Sequence, residues 1–508
     1  MDVARVWSRA QLGLTAPRVD VEVHLGSGLP QFSIVGLPAT AVKESKDRVR
    51  AALANARFEW PSGRITVNLS PADLPKEGCR YDLPIALGIL LASSQVKVPA
   101  TLLDSCEFYG ELGLAGELRP IRGVVLAAAH AARAGNRVVV PVENLAEARI
   151  AASSAAQGFS NLLDVCGMFA TGEITASAVD MVPLAECAAV SALDLNDVRG
   201  QAAAKRALVV AAAGGHSLLL IGPPGTGKSM LAQRLPGLLP NLEGLDALEV
   251  ASIASVSNRG FSASQFGQRP FRSPHHTASA TAIIGGGPHA RPGEVSLAHR
   301  GVLFLDELPE FNRTVLESLR EPLESGVVAI SRAAAQVEYP ARFQLVAAMN
   351  PCPCGYLGEP TGNCRCAPPE IARYRARVSG PLLDRIDLRV AVPAVPSEEL
   401  FEEAAAHDAA LTSAKASAQV CAARQRQHAR AGKLNCDLVG REIQEFCPID
   451  RPGRRLVAQA RARLALSARG VHRVLRVART IADLEDGGAR SVDVTHLAEA
   501  LQLRRAIS

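Results

Sequence analysis

Alternating apolar and polar positions divide the 508-residue chain into three blocks with different secondary-structure patterns. Up to about residue 170, short β-rich runs stand between longer stretches with apolar residues at helical spacing. The runs that predict strands include 19–24, 65–69 and 137–140, and the stretches that predict helices include 39–56 and 124–134. We therefore expect the first block to form an α/β domain of its own.

The middle block alternates apolar strand patterns with helices, and the last block is helical and rich in Ala, Leu and Arg. A thin stretch containing Ala and Ser, at 171–192, joins the first block to the second. These changes of pattern predict three domains, at 1–185, 186–396 and 397–508.

Hydrophobic residues make up 48% and charged residues 21% of the chain, as in ordinary folded domains. The net charge of +5 is small, so contact with nucleic acid would have to come from local clusters. The N-terminus lacks the apolar run of a secretory signal, and the most apolar stretch, 207–221, is too short to cross a bilayer. With 11 cysteines and no export signal, the protein is predicted to be cytoplasmic and not to associate with membranes.

A glycine-rich loop follows the apolar strand pattern at 218–221 and precedes a helix. Its spacing is that of a P-loop, whose backbone N–H groups surround phosphates while a lysine reaches the terminal phosphates and a serine hydroxyl holds Mg²⁺. The alternative is a chance glycine-rich turn. We predict an ATP and Mg²⁺ site formed by Gly222, Pro223, Pro224, Gly225, Thr226, Gly227, Lys228 and Ser229.

Two further apolar strand patterns end in polar residues. The segment GVLFLDE at 301–307 ends in Asp306 and Glu307, which predicts a Mg²⁺ ligand followed by a base that polarises the attacking water. The segment FQLVAAMN at 343–350 ends in Asn350, whose side chain can orient that water. Each could instead be an ordinary strand-to-loop transition.

The order of these parts, followed by SGPLLDRIDL at 379–388, resembles the AAA+ superfamily. The resemblance implies that Arg385 acts on the γ-phosphate bound by a neighbouring subunit, and that Arg473 acts as a second arginine from a helical lid. A guanidinium group is suited to stabilise the charge that develops in phosphoryl transfer. Either residue could instead be a surface arginine.

Longer segments resemble a narrower family, the magnesium-chelatase-like AAA+ proteins of the bacterial ComM/YifB group. These segments include FRSPHHTASATAIIGGG at 271–287, RPGEVSLAHRGVLFLDELPEFNR at 291–313 and AAMNPCPCG at 347–355. The resemblance implies a hexameric ring acting on DNA, a branch-migration helicase that aids DNA integration in natural transformation. It implies an α/β fold class, with an N-terminal Lon-peptidase-like domain, a central AAA+ P-loop ATPase domain and a C-terminal helical lid.

The Lon-like resemblance of the first block rests on LPKEG at 74–78, YGELGLAGELRPIRG at 109–123 and GNRVVVPVENLAE at 135–147. Lon peptidases use a Ser–Lys pair, because the hydroxyl needs a neighbouring base to attack a carbonyl. Here Cys79-Arg80-Tyr81-Asp82 replaces the segment with the serine, and Val125 stands where the lysine would. We therefore predict a non-catalytic domain, although Cys79 could in principle act as a replacement nucleophile.

Cationic residues that could line a central channel and follow phosphates lie in two regions of the chain. Those in the middle block are Arg269, Arg272, His275, His276, Arg291 and Arg332. Those in the last block are Arg424, Arg426, Arg430, Lys433, Arg451, Arg454, Arg455, Arg461, Arg463 and Arg469. The alternative is that these residues are solvated surface positions.

Four cysteines directly after Asn350 form two C-x-C pairs separated by nine residues: Cys352, Cys354, Cys364 and Cys366. Four thiolates on one loop can enclose a tetrahedral Zn²⁺ and stabilise the loop, whereas the alternative is four free thiols.

Two other functions compete with a DNA motor. A chelatase-type remodeller of a protein or metal-insertion partner would show protein-stimulated ATPase activity. An ATP-dependent protease would hydrolyse peptides through Cys79, and the missing Ser–Lys pair argues against it.

Overall fold

A computed structural model of the chain describes residues 3–171, 193–287, 290–331, 336–358, 364–395, 411–464, 466–485 and 491–504. Arg332, one of the cationic candidates, lies outside these residues. The chain divides into two compact units. The first contains Met1–Ala188, Glu243–Gly267 and Ser331–Tyr339, and the second contains Ala189–Leu242, Gln268–Ile330 and Pro340–Ser508.

Strands and α-helices are numbered here in chain order. The strands are β1 (Val3–Arg9), β2 (Arg18–Gly26), β3 (Gln31–Val35), β4 (Arg64–Ser70), β5 (Cys106–Phe108), β6 (Glu111–Leu112), β7 (Leu118–Arg119), β8 (Arg137–Pro141), β9 (Ala156–Phe159), β10 (Leu218–Ile221), β11 (Phe271–Arg272), β12 (Gly285–Gly286), β13 (Arg291–Pro292), β14 (Val302–Leu305), β15 (Val327–Ser331), β16 (Gln336–Pro340), β17 (Gln344–Met349) and β18 (Leu388–Ala391). The helices are α1 (Thr40–Lys43), α2 (Ser45–Asn55), α3 (Asp82–Ala92), α4 (Ala100–Asp104), α5 (Val124–Arg133), α6 (Leu145–Ala152), α7 (Leu162–Thr171), α8 (Ala202–Gly214), α9 (Lys228–Arg234), α10 (Gly244–Ser255), α11 (Ala280–Ile284), α12 (Glu294–Leu297), α13 (Arg313–Ser318), α14 (Arg320–Ser325), α15 (Pro368–Arg375), α16 (Gly380–Leu383), α17 (Ser413–Ala431), α18 (Arg441–Phe446), α19 (Arg451–Arg463), α20 (Ala468–Leu484) and α21 (Val494–Gln502).

The first unit is built on a seven-stranded mixed sheet in the order β3-β4-β2-β1-β5-β8-β9. The predicted strands are confirmed as β2, β4 and β8, and the predicted helices as α1, α2 and α5. The helix α3 is almost entirely buried against β1 and β2. It lies so close that a Cβ added at Gly88 would be 2.5 Å from Val23 Cγ2, so this position accepts only glycine without a shift of its neighbours.

The second unit is built on a five-stranded sheet in the order β11-β14-β17-β10-β18, and all of its pairs are parallel. The strands β10, β14 and β17 are buried along their whole length, as expected for a parallel sheet covered on both faces. Ile221 lies opposite Met349, and Leu305 opposite Ala347, so these strands end at the same edge. The predicted α/β class is therefore confirmed for both sheets.

The last block of the chain is helical, as predicted, and belongs to the second unit. The helices α17 and α20 pack on α8, which directly precedes β10, the strand between β17 and β18. Asp483 in α20 is buried and accepts hydrogen bonds from Arg430, Arg479 and Asn435, which ties α17 to α20. None of the described helices combines the length and apolar character that crossing a membrane requires.

Candidate nucleotide site

The glycine-rich loop leaves the buried end of β10 at Ile221 and enters α9 at Lys228. At Gly222 the backbone that follows the neighbouring strand β18 comes very close. A Cβ added here would lie 2.0 Å from the carbonyl oxygen of Val392. Gly225 and Gly227 have φ angles of +77° and +86°, and an added Cβ would meet nothing within 4 Å. Glycine is thus required by contact at the first position and by backbone conformation at the other two. The open side of the loop can admit phosphate groups.

Lys228 is the first residue of α9, and its buried side chain turns back into the glycine-rich loop. Its ammonium group donates hydrogen bonds to the carbonyl oxygens of Gly222 (2.8 Å) and Pro223 (2.6 Å) and to Asn350 Oδ1 (3.2 Å). Burial lowers the pKa of Lys228, while the negative charges of Asp306 and Glu307 act in the opposite direction. The predicted lysine and asparagine are therefore in direct contact.

Ser229 and Asp306 supply the oxygen atoms of a candidate Mg²⁺ site. The Ser229 hydroxyl donates to Asp306 Oδ2 at 2.6 Å, across the gap between α9 and the end of β14. Hydroxyl and carboxylate oxygens are the donors that Mg²⁺ prefers, and the ion keeps several of its ligands as water or phosphate. These two side chains therefore fit the ion that a P-loop requires.

Glu307 adopts a left-handed backbone conformation, with φ of +53°, and its side chain is 55% exposed. Left-handed φ values are uncommon for residues other than glycine and are often found at functional sites. Its carboxylate lies 3.3 Å from Nδ1 of His276, whose ring packs against that of His275. The sequence had placed both histidines among the channel candidates, and it gave no indication that His276 lies beside Glu307.

The two candidate arginines are held by carboxylates of their own chain. Arg473 donates to Asp387 Oδ1 at 2.6 Å and to the carbonyl oxygen of Arg385 at 2.8 Å. Arg385 lies 2.7 Å from Glu324, which also contacts Arg469 at 3.4 Å. Neither Glu324 nor Asp387 was among the predicted site residues, because these contacts join segments that are distant in the sequence.

Asp387 is buried beside His216 and the guanidinium of Arg473. Burial alone would raise the pKa of Asp387, but His216, whose Nδ1 lies 3.7 Å away, and the charge of Arg473 hold it well below its ordinary value. The carboxylate is therefore ionised and anchors α20 to the segment before β18.

Comparison with known proteins places this chain in a family. The chain matches the families described as "Magnesium chelatase, subunit ChlI" over residues 194–400, "Subunit ChlI of Mg-chelatase" over 21–144 and "Magnesium chelatase, subunit ChlI C-terminal" over 410–504. Competence protein ComM of Haemophilus influenzae is 48% identical over 510 residues, which cover 100% of this chain and 98% of that protein. Protein YifB of Salmonella typhimurium is 48% identical over 507 residues, with coverage of 99% and 97%.

The chain belongs to the ComM/YifB group of magnesium-chelatase-like AAA+ proteins. Membership implies an ATPase whose ligands are ATP and Mg²⁺, in agreement with the donor groups at Lys228, Ser229 and Asp306. The family matches also cover the first unit and the C-terminal helices, so the resemblance extends beyond the pocket.

The four clustered cysteines of this family member have their sulfur atoms within 4.8 Å of one another. They are the one group of potential metal ligands of this kind among the described residues. The sequence prediction that these thiols form one site is consistent with this arrangement.

Some of the cationic residues predicted to line a channel are bonded to groups of their own chain, and others are exposed. Arg272 is paired with Glu294, and Arg269 donates to the carbonyl oxygens of Pro240 and Arg300. Arg424 is buried and donates to the carbonyl oxygen of Ala212, so it is unavailable to DNA. In contrast, α19 carries five exposed arginines and no acidic residue: Arg451, Arg454, Arg455, Arg461 and Arg463.

The Lon-like candidates of the first unit do not form an activated nucleophile. Burial raises the pKa of the Cys79 thiol to about 11, although Arg48 acts to lower it. Val125 is fully buried in α5, and the buried ammonium of Lys76 donates to the carbonyl oxygen of Pro71. A thiol with this pKa is almost wholly protonated at neutral pH, which argues against nucleophilic catalysis by Cys79.

The contact of Arg473 with Asp387 predicts a loss of stability that a purely catalytic arginine would not show. Arg473→Ala leaves a buried carboxylate without its strongest partner, and we expect the free energy of unfolding of the second unit to fall by about 3 kcal/mol. Arg469→Ala removes only an exposed contact and should cost less than about 1 kcal/mol. Urea denaturation of the nucleotide-free protein, followed by circular dichroism, measures both. If the free energy of unfolding falls by the same small amount in both variants, Asp387 does not anchor α20 through Arg473.

Proposed function

We propose that this protein is an ATP-driven ring motor that acts on DNA, most specifically a hexameric branch-migration helicase. The observation that carries the proposal is the grouping of Lys228, Ser229, Asp306, Glu307 and Asn350 at one edge of a parallel sheet. Relatives of nearly the same length and 48% identity include a protein named for competence, which supports DNA as the substrate.

The chain's own groups divide the work of hydrolysis. Lys228 exchanges its loop carbonyl partners for the terminal phosphates. Ser229 and Asp306 would hold a Mg²⁺ ion, which would supply neutralisation of charge on the phosphate oxygens. Glu307 accepts a proton from the attacking water, and Asn350, already in contact with Lys228, orients that water beside the γ-phosphate.

Arg385 completes the pocket of the neighbouring subunit. In the single chain its guanidinium, 11% exposed, is paired with the exposed carboxylate of Glu324 and donates to the carbonyl oxygen of Pro381. A phosphate carrying more charge than one carboxylate can displace that partner. An arginine that acts on a neighbouring pocket requires the same interface between successive subunits, which a closed ring provides.

The helix α19 is the surface best suited to contact DNA. The five exposed arginines of this helix, whose sequence holds no acidic residue apart from the N-cap Asp450, would follow the phosphate backbone without reading bases. Such contacts tolerate any sequence, as a motor that moves along DNA requires.

Substitutions in the pocket separate binding from hydrolysis. Lys228→Ala should abolish binding of ATP, because the terminal phosphates lose their buried cation. Glu307→Gln should bind ATP with unchanged affinity but hydrolyse it about 10²–10⁴-fold more slowly, since the general base is lost. Fluorescence anisotropy of a labelled ATP analogue and phosphate release measure the two effects. The matched control is Glu310→Gln, an exposed acid three residues further on, which should behave as wild type; normal turnover in Glu307→Gln would refute the site.

The DNA proposal is tested by ATP-dependent displacement of a labelled strand from a three-strand junction. Wild-type protein should resolve the junction, and Glu307→Gln should not, because displacement needs hydrolysis. If wild type hydrolyses ATP but leaves the junction intact, the DNA proposal fails. The chelatase-type remodeller, which the family descriptions favour, is then tested by protein-stimulated ATPase activity.

A further inference from the structure

The spacing of the four clustered cysteines matches a tetrahedral zinc site. Cys352 Sγ lies 3.4 Å from Cys354 Sγ and 3.8 Å from Cys364 Sγ, and the last two sulfurs are 3.7 Å apart. Zinc–thiolate bonds of about 2.3 Å place tetrahedral ligands about 3.8 Å from one another. A disulfide would need about 2.05 Å, so these free thiols are arranged as ligands and not as a bridge.

Backbone N–H groups point at the sulfur atoms of the cluster. Backbone amides of the loop act on three of the sulfurs: those of Tyr356 and Arg365 on Cys354, that of Cys366 on Cys364, and that of Cys354 on Cys366. Hydrogen bonds of this kind around the ligands orient them and stabilise their negative charge. Cys352 itself is fully buried. The described parts of this segment, 352–358 and 364–366, therefore bring the four sulfur atoms together.

The same loop packs against the nucleotide pocket. Gly355, between the two C-x-C pairs, has a φ of +90°, and an added Cβ would lie 2.7 Å from Pro224 Cδ and 3.8 Å from Asn350 Cγ. Pro224 belongs to the glycine-rich loop, and Asn350 accepts the hydrogen bond from Lys228. One residue of the cysteine loop thus touches both parts of the phosphate site.

The helix that follows the last cysteine contacts the backbone beside Asn350. The helix α15 begins at Pro368, two residues beyond Cys366. Its Arg375 donates to the carbonyl oxygen of Pro351, the residue after Asn350, at 3.3 Å. The chain on the far side of the cysteine cluster therefore contacts the backbone next to Asn350, and a metal that closes the loop would restrict the position of this residue.

We propose that Cys352, Cys354, Cys364 and Cys366 bind one structural Zn²⁺, and that the closed loop positions Pro224 and Asn350 for nucleotide binding. The first part is independent of the proposed function, and the second part rests on it. The site is structural because all four ligand positions are filled by protein, which leaves no position for water or substrate.

The metal part is tested on the full-length protein by elemental analysis after purification without chelator. Wild type should carry about one Zn²⁺ per chain, and Cys354→Ser and Cys366→Ser only a small fraction of that. Cys421→Ser, at a half-buried cysteine outside the cluster, is the matched control and should keep the full amount. Co²⁺ exchanged into wild type should give the absorption of a tetrahedral tetrathiolate site. A wild-type protein without zinc that also fails to take up Zn²⁺ or Co²⁺ overturns the proposal.

The positioning part is tested with a pair of glycine substitutions in the same loop. Gly355→Ala and Gly358→Ala both strain a left-handed backbone, with φ of +90° and +83°, but an added Cβ meets nothing within 4 Å at Gly358. Gly355→Ala should retain zinc and bind a labelled ATP analogue roughly tenfold more weakly, whereas Gly358→Ala should bind it as wild type does. Equal affinities in the two variants overturn the positioning role.

The two readouts distinguish this inference from the proposed function. Zinc content is measured without nucleotide or DNA, so the metal part of the proposal can be tested even if wild type binds no ATP. Analogue affinity is measured without DNA, so it does not depend on strand displacement.

Discussion

Parallel pairing of β10, β14 and β17 is the constraint on which the rest of the second unit depends. Because these strands run in one direction and end at one edge, the residues that follow them converge although they are far apart in the chain: Gly222, Asp306 and Asn350. The contacts of Lys228 with Asn350, and of Ser229 with Asp306, follow from this register. A shift of one strand by a single residue would separate these pairs and also turn buried side chains outward.

Much of this pocket can be predicted from sequence, because each functional residue directly follows an apolar strand pattern. The glycine-rich loop, Asp306, Glu307 and Asn350 all belong to this class, and the strands before them are where the patterns place them. The position of His276 beside Glu307 was not predicted, although β11 pairs with β14 and brings the residues after β11 to the same edge. Knowledge of the strand order would have been enough to find it.

Contacts between distant segments account for what the sequence could not indicate. The apolar pattern of α10 resembles that of the helices before and after it in the chain. The segment that contains it, Glu243–Gly267, nevertheless belongs to the first unit, whereas the segments on both sides belong to the second. The contact of Arg385 with Glu324 depends on how the segment before β18 approaches α14, and that of Arg473 with Asp387 on how the same segment approaches α20. The roles of Arg385 and Arg473 in catalysis remain predictions, and the structure supplies the in-chain carboxylates that hold them.

The three cations around the pocket differ in how firmly their partners hold them. Lys228 is bonded to neutral carbonyl oxygens and Arg385 to an exposed carboxylate, so both cations can change partners when phosphate enters. Arg473 differs, because its partner Asp387 is buried and also hydrogen-bonded to Ser217. On this account Arg385 is the mobile arginine that a neighbouring subunit uses, whereas Arg473 maintains the fold around it.

Mixing two inactive variants tests this account most directly. Lys228→Ala subunits cannot bind ATP but still offer Arg385, and Arg385→Ala subunits bind ATP but offer no arginine. Co-expressed with different tags and purified through both, they should recover roughly a quarter of the wild-type ATPase rate, because about that share of interfaces in a random ring combines an intact pocket with an intact arginine. If doubly tagged oligomers remain as inactive as either variant alone, Arg385 does not act between subunits, and the account of a shared nucleotide site is contradicted.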